Sequence, residues 1–151
     1  MVLEEIVRYL PRKIDREKHK RLYINREYID SDKLKKIENS IIKAFRRAII
    51  ETLKSKGYTI RREFIENAEN LGPDPDLLWL KFNADNSIDV VIADTTFHTL
   101  DDNSMAVFSK QFSNTIRNMG FELLLQGFAS LDLFGGYLVK RVFYAKIKFY
   151  S

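Results

Sequence analysis

The strongest constraint on the fold is an apolar repeat of four residues in the first half of the chain. Five large apolar residues share this spacing: Ile37, Ile41, Phe45, Ile49 and Leu53. The spacing places them on one stripe of an α-helix. Asp30, Ser31 and Asp32 offer N-caps, and Gly57 suits the residue that follows a helix. The pattern predicts a helix of about 32–56 with one buried face.

Shorter patterns predict the other elements. A second apolar stripe favours a helix over about 104–119, ended by Gly120. Five segments favour strands through their apolar, β-branched and aromatic residues: 58–64, 77–82, 88–93, 121–128 and 137–150. Gly135-Gly136 is typical of a two-residue hairpin turn between the last two strands. The element order α-β-β-β-α-β-β predicts an α+β fold, with two main helices on one face of a mostly antiparallel five-stranded sheet.

The organisation predicted is one domain preceded by a basic segment. A chain of 151 residues suits a single domain. Residues 1–30 form a basic N-terminal arm or short helix in this interpretation, with a helix expected over about 3–10. Residues 31–151 form the single α+β domain.

Absent residue types exclude several function classes. The chain has no cysteine, so disulfide frameworks, cysteine-ligated metals and thiol chemistry are excluded. It shows neither a secretion leader nor an apolar run of the roughly 20 residues that span a bilayer, and a cytoplasmic protein is expected. No Gly-rich phosphate loop, nucleophile elbow or zinc-protease motif occurs, and no small-molecule cofactor is expected.

Charge is distributed unevenly along the chain, whose formal net charge is +4. Residues 1–62 hold 18 Lys and Arg against 9 Asp and Glu, whereas residues 63–135 hold 3 against 12. The last 16 residues hold 4 basic residues and no acid. Such asymmetry is typical of proteins that bind a polyanionic partner or that self-associate head to tail. A basic helix that neutralises an acidic sheet inside one domain accounts for it equally well.

Two basic surfaces favour nucleic acid as the partner. One face of the last strand alternates lysine with tyrosine, and its proposed contacts are Lys140, Tyr144, Lys146 and Lys148. Ammonium groups there would meet phosphates while rings stack on bases. The first long helix and the segment after it add a second group: Lys43, Arg46, Arg47, Arg61 and Arg62. The alternative is a solvated face whose lysines protect an edge strand from aggregation.

Two carboxylates raise an enzymatic alternative. Asp76 opens one predicted strand and Asp89 lies on the next, so the α-β-β-β-α-β order resembles the PD-(D/E)xK nuclease core over residues 32–128. That resemblance implies magnesium or manganese bound by Asp76 and Asp89, with Glu51 as a further acid. Val91 stands where the family has its catalytic lysine, and Lys81 on the neighbouring strand is the substitute.

Two further patterns concern a loop and an assembly. Asp94, His98, Asp101 and Asp102 suit either a metal site or a polar loop with a helix cap, at Asp102 or Ser104. The element order also resembles the small secretion-chaperone fold, which implies a homodimer that holds a partner segment. The sequence therefore leaves three hypotheses: a nucleic-acid-binding protein, a metal-dependent nuclease, and a dimeric protein-binding module.

Overall fold

The structure, a computed structural model, describes residues 20–132 and 139–149. The helix expected over 3–10, most of the basic arm and the Gly135-Gly136 turn lie outside these residues. The strands are β1 (Arg21–Ile24), β2 (Leu77–Phe82), β3 (Ser87–Ala93), β4 (Phe121–Asp132) and β5 (Val139–Phe149). The helices are α1 (Ser31–Ser55), α2 (Arg62–Glu66), α3 (Ala68–Leu71) and α4 (Asp102–Asn118), with 3₁₀ turns at Arg26–Tyr28 and Thr95–Thr99.

The five strands form one mixed sheet in the order β1-β2-β3-β5-β4. β1 runs parallel to β2, and the other three pairings are antiparallel. The two long helices occur where their apolar stripes predict them. Gly57 and Gly120 follow them with φ of 91° and 94°, a conformation that glycine adopts without strain. The protein is therefore α+β, as the sequence predicts.

The strand predicted over 58–64 is wrong. Tyr58, Thr59 and Ile60 have strand-forming side chains, but the chain leaves α1 through Gly57 and enters the short helix α2. Arg47 holds that helix beside α1 by donating to the carbonyl oxygen of Ile65 at 2.8 Å. Tertiary contact with α1 thus replaces the strand that local propensity favours.

The fifth strand comes from the segment expected to be a basic arm. Arg21–Ile24 pairs with β2, placing Leu22 opposite Trp79 and Tyr23 opposite Leu80. Residues 21–24 therefore belong to the sheet. The observed order begins with a strand and has three helices between β1 and β2, so the order that supported both family resemblances is not the one formed.

The main core lies between one face of the sheet and the two long helices. Its centre holds phenylalanine rings from three elements: Phe97 and Phe108 meet edge to face at 5.1 Å, and Phe108 meets Phe143 at 5.0 Å. Ile37, Ile41 and Phe45 of α1 close the other side and are fully buried. The predicted apolar stripe is therefore the surface on which α1 docks.

The opposite face of the sheet carries a second apolar cluster. Its buried members are Leu77, Trp79, Val91, Ala93 and Val142, and Tyr144 packs against them. Every residue of β2 and β3 is buried, on both faces. On its β3 side the last strand is therefore flanked by buried residues and not by the solvated face that its Lys/Tyr alternation indicates.

Tyr23 ties the edge strand β1 to α1. Its hydroxyl donates a short hydrogen bond to the Glu38 carboxylate. Burial, and next that hydrogen bond, raise the pKa of Tyr23 above its ordinary value. Because the folded state holds this proton more tightly than the unfolded chain, the contribution of Tyr23 to stability is complete below about pH 10 and is lost as pH rises further.

Replacing Tyr23→Phe should therefore lower the free energy of unfolding by about 1 kcal/mol near neutral pH, and this deficit should shrink above about pH 10. Urea denaturation between pH 8 and 11 measures it. Tyr58→Phe is the matched control, because Tyr58 is 57% exposed. A Tyr23→Phe deficit that stays constant across this range would contradict the assignment.

Candidate nucleic-acid interface

Arg46 and Arg47 of α1 are engaged inside the fold. Arg46 donates to the carbonyl oxygen of Glu69 at 3.0 Å and pairs with the Asp74 carboxylate at 2.5 Å. Arg47 holds α2 at Ile65, and its guanidinium lies 3.7 Å from Glu51. The two side chains are only 22% and 23% exposed. They attach the segment after α1 to that helix and do not form the open basic strip expected of them.

Three other predicted contacts on this side are exposed. Lys43 lies on the solvent side of α1, and Arg61 immediately precedes α2. Arg62 forms a surface ion pair with Glu66 at 2.7 Å, and its side chain is 89% exposed. Exposed pairs of this kind contribute little to stability, so Arg62 remains accessible to an anion.

The predicted contacts on β5 divide among different roles. Tyr144 lies over Gly127, where an added Cβ would come within 2.6 Å of the Tyr144 hydroxyl. Lys146 lies 3.6 Å from the buried Asp89 carboxylate, which Lys81 approaches at the same distance from β2. The side chain of Lys140 lies outside the described residues. Lys148, at the end of β5, is half-buried and lies at the cleft described below.

The two acids of the nuclease alternative do not meet. β2 and β3 are paired so that Lys81 is opposite Asp89, and Asp76, immediately before β2, precedes Lys81 by five residues. The separation along the strands is about 17 Å, and an odd number of residues places Asp76 and Asp89 on opposite faces. Glu51 pairs with Arg47 on the helix side of the sheet. Within the described residues, these three acids are therefore not brought together.

Instead, the carboxylates near the strand ends cap turns. Asp76 accepts a hydrogen bond from the backbone of Thr95 at 2.8 Å, and Asp94 accepts one from the backbone of Thr96 at 3.2 Å. Burial raises the pKa of Asp94 above its ordinary value. Asp101, rather than Asp102 or Ser104, caps α4, and hydrogen bonds from Ser104 lower the pKa of Asp101. His98 is exposed beside them.

A cleft opens at the end of the sheet where α1 begins. Its volume is about 480 Å³, within the roughly 300–1,000 Å³ typical of ligand sites. The start of α1, the β2–β3 hairpin, the end of β5 and the turn after β1 surround it. Buried Ile37, Phe82 and Ile88 contribute to its lining. Three lysines also line it: Lys33, Lys36 and Lys148.

The lysines of the cleft differ from the engaged cations elsewhere. Within the part of the chain that the structure describes, none of the three forms a salt bridge. Lys36 lies 5.7 Å from the centre of the Phe149 ring, a cation–π contact that leaves its charge uncompensated. The one carboxylate in the lining is Asp30, which caps α1 by accepting from the backbone of Lys33 at 2.9 Å. The cleft is therefore basic.

The hairpin wall of the cleft is built by a local hydrogen-bond network. Asp85 accepts from the Ser87 hydroxyl at 2.6 Å and from its backbone at 2.9 Å, which lowers the pKa of Asp85. Asn83 donates to Ser87 and to the buried Asp89, and accepts from Lys81. These contacts attach the hairpin to the ion pairs that Lys81 and Lys146 form with Asp89. The ion pairs thus support this wall of the cleft.

Of the individual nucleic-acid contacts named from the sequence, Lys148 lines this cleft, and Lys36 lies on the basic helix that the sequence also favours as a binding surface. Sequence reasoning missed Tyr28, Lys33, Asn83 and Asn86, which come from separated segments. Lys33 and Lys36 are recognisable as lysines of the first two turns of a helix, but their approach to β5 depends on the sheet order. The chain itself offers no local signal that these segments converge.

Comparison with known proteins gives no family for this chain. No protein-family model matches it, and no significant similarity to curated proteins or to solved structures is found. Among the residues that the structure describes, no group of three or more His, Asp or Glu is arranged to hold a metal ion. No helix in residues 20–132 or 139–149 is long and apolar enough to cross a bilayer.

We expect Arg46→Gln to destabilise the fold by about 1–3 kcal/mol, since it removes charge-assisted bonds to a half-buried segment. Backbone amides of α2 and α3 should also exchange hydrogen faster, while those of α4 should not. Lys43→Gln, one helical turn earlier and exposed, is the control and should change neither property. If Arg46→Gln kept the stability of the wild type but lost affinity for polyanions, Arg46 would instead be assigned to the binding surface.

Proposed function

We propose that the protein binds nucleic acid and that the lysine-lined cleft is its principal contact. The observation that carries this proposal is the convergence of Lys33, Lys36 and Lys148 at one opening without a salt bridge among the described residues. A phosphate backbone is the partner chemistry that suits several ammonium groups within one site that form no salt bridge among the described residues.

The electrostatic argument depends on the contrast between these lysines and the arginines of α1. Arg46 and Arg47 already have acceptors inside the fold, so binding a phosphate would first break those bonds. Lys33, Lys36 and Lys148 have no salt bridge to break among the described residues; Lys36 would change only its cation–π contact with Phe149. Three lysines against the single Asp30 carboxylate give the described part of the lining a positive balance, and several cations in one cleft favour a polyanion over a single small anion.

The lining also supplies groups that suit bases. Tyr28 is 52% exposed at the cleft, and exposed aromatic rings serve as stacking platforms in nucleic-acid-binding proteins. Asn86 contributes an exposed side-chain amide to the same lining. The combination of lysines, an exposed ring and an amide favours nucleic acid over a simple acidic surface.

Removing the three ammonium groups should weaken binding and reduce its dependence on salt. For the triple variant Lys33→Gln, Lys36→Gln, Lys148→Gln, the log–log salt slope with single-stranded DNA should fall by about 2, at roughly 0.7 for each lost phosphate contact. Fluorescence anisotropy of a labelled oligonucleotide across a salt series, with EDTA present, measures it.

The matched control is a triple variant of the same charge change away from the cleft: Lys43→Gln, Lys54→Gln and Arg61→Gln. These side chains are exposed, and their removal should leave most of the affinity and slope in place. An equal loss in both variants would show that binding is spread over the basic surface, and it would overturn the cleft as the principal contact. No binding by the wild type at low salt would overturn the proposal itself.

Self-association is the second candidate function, favoured by the outer edge of β4. In the described sheet β4 ends the strand order, so its outer backbone groups can pair with another strand. Leu124 and Leu125, at the irregularity in this strand, are 45% and 41% exposed. A second copy of β4 would cover both the backbone edge and these leucines.

The double variant Leu124→Lys, Leu125→Lys should convert a dimer to a monomer, halving the mass found by light scattering. Tyr58→Lys, at an exposed aromatic residue elsewhere, should leave the dimer intact. Edge pairing should persist at high salt, whereas assembly through opposite charges should weaken. A wild-type monomer at high micromolar concentration would contradict this candidate.

A further inference from the structure

The cleft has the dimensions and chemistry to take one nucleotide whose base is not stacked on its neighbours. We infer that it binds single-stranded nucleic acid by stacking a base on Tyr28, with the adjacent phosphate between the lysines. This inference rests on the proposed function and adds the strand form and the stacking residue. The bases of a duplex are stacked inside the helix, so they cannot enter such a cleft without being flipped out.

Tyr28 is held in place although its ring is exposed. It ends the 3₁₀ turn Arg26–Tyr28 between β1 and α1, and its backbone donates to Asn25 at 3.1 Å. Asn25 has φ of 61°, a left-handed conformation that asparagine tolerates. The Asp30 cap fixes the chain on the other side. Because a strand and a capped helix anchor the turn, little backbone freedom has to be lost when a base stacks there.

The two other aromatic rings in the described lining, Phe149 and Phe82, are already packed. Phe149 stacks on Phe121 with ring centres 4.5 Å apart, and Lys36 lies beside it. Phe82 is 2% exposed and contributes only to the lining. Tyr28 is therefore the ring in the lining whose surface is open to a base.

The phosphate is expected between the helix and the end of β5. Lys33 and Lys36 lie one turn apart at the start of α1, and Lys148 approaches from the sheet. Asp30 already accepts a hydrogen bond from the first turn of α1, so the lysines, rather than the helix end, would bind the anion.

Asn86 completes the site on the hairpin side. Its backbone is left-handed, with φ of 70°, and donates to Asn83 at 3.1 Å, so the tip of the turn is fixed. Its exposed side-chain amide can donate and accept hydrogen bonds at once. That combination suits the edge of an unpaired base, which displays both donors and acceptors. Asn83 is committed to the internal network described above.

The test compares three labelled ligands of matched length: single-stranded DNA, duplex DNA, and a strand of abasic deoxyribose phosphates. The abasic strand retains the backbone charge but has no bases. Anisotropy at one moderate salt concentration should give the tightest binding to the single strand. Loss of the bases should cost roughly tenfold in affinity, the order expected from one base–aromatic stack.

Variants of Tyr28 then test whether its ring is the surface on which the base stacks. Tyr28→Leu keeps an apolar side chain without an aromatic face and should lose roughly tenfold in affinity for the single strand but not for the abasic strand. Tyr28→Phe should restore wild-type binding. Tyr58→Leu is the matched control at another exposed tyrosine and should have no effect. Thermal unfolding of each variant verifies that it is folded.

The outcomes separate the inference from the function on which it rests. Equal affinity for all three ligands, unaffected by Tyr28→Leu, would overturn the nucleotide cleft while leaving phosphate binding through the lysines intact. Failure to bind any of the ligands at low salt would overturn the proposed function itself. Preference for the duplex would also contradict the inference, because an unstacked base would then not be the ligand.

Discussion

The constraint on which the structure depends is the burial of β2 and β3 on both faces. Their alternate side chains enter two different apolar clusters, one containing Leu78 and Leu80 and the other Leu77 and Trp79. With both faces occupied, polar groups of these strands can reach solvent only near their ends. The hairpin network sits at one end and the capping carboxylates at the other. The cleft is thus a consequence of how the central hairpin is buried.

The sequence predicts those elements whose own periodicity is strong. α1 and α4 carry regular apolar stripes, and β2 and β3 are short apolar runs around a polar loop, so their existence follows from the chain locally. β1 is four residues long within a basic segment, and its partner is about 55 positions away. The segment after Gly57 has strand-forming residues, but its contacts with α1 decide its conformation. Both errors concern segments whose structure is set by distant partners.

The same distinction applies to the candidate site. The sequence shows where the cations are but not which of them already have acceptors. Arg46 and Arg47 carry the same charge as Lys33 and Lys36 and lie on the same helix, yet Asp74 and the carbonyl oxygens after α1 engage the arginines. Part of the charge asymmetry is therefore used within the fold, where the basic helix pairs with the acidic segment that follows it. Lys148 was predicted because it lies on a recognisable strand face; its neighbours in the cleft were not, since they come from other segments.

The position of the cleft also determines how specific its chemistry can be. Exposed lysines on a helix face keep their rotamer freedom and interact with any polyanion. They therefore attract nucleic acid without fixing its position on the protein. In the cleft, by contrast, the ring, the lysines and the amide are attached to four elements whose relative positions are fixed by the buried hairpin. The buried Asp89 links two of these elements, since Lys81 and Lys146 approach it from β2 and β5. The same carboxylate that the nuclease alternative would use is thus ion-paired across β2, β3 and β5, the strands whose ends form the cleft.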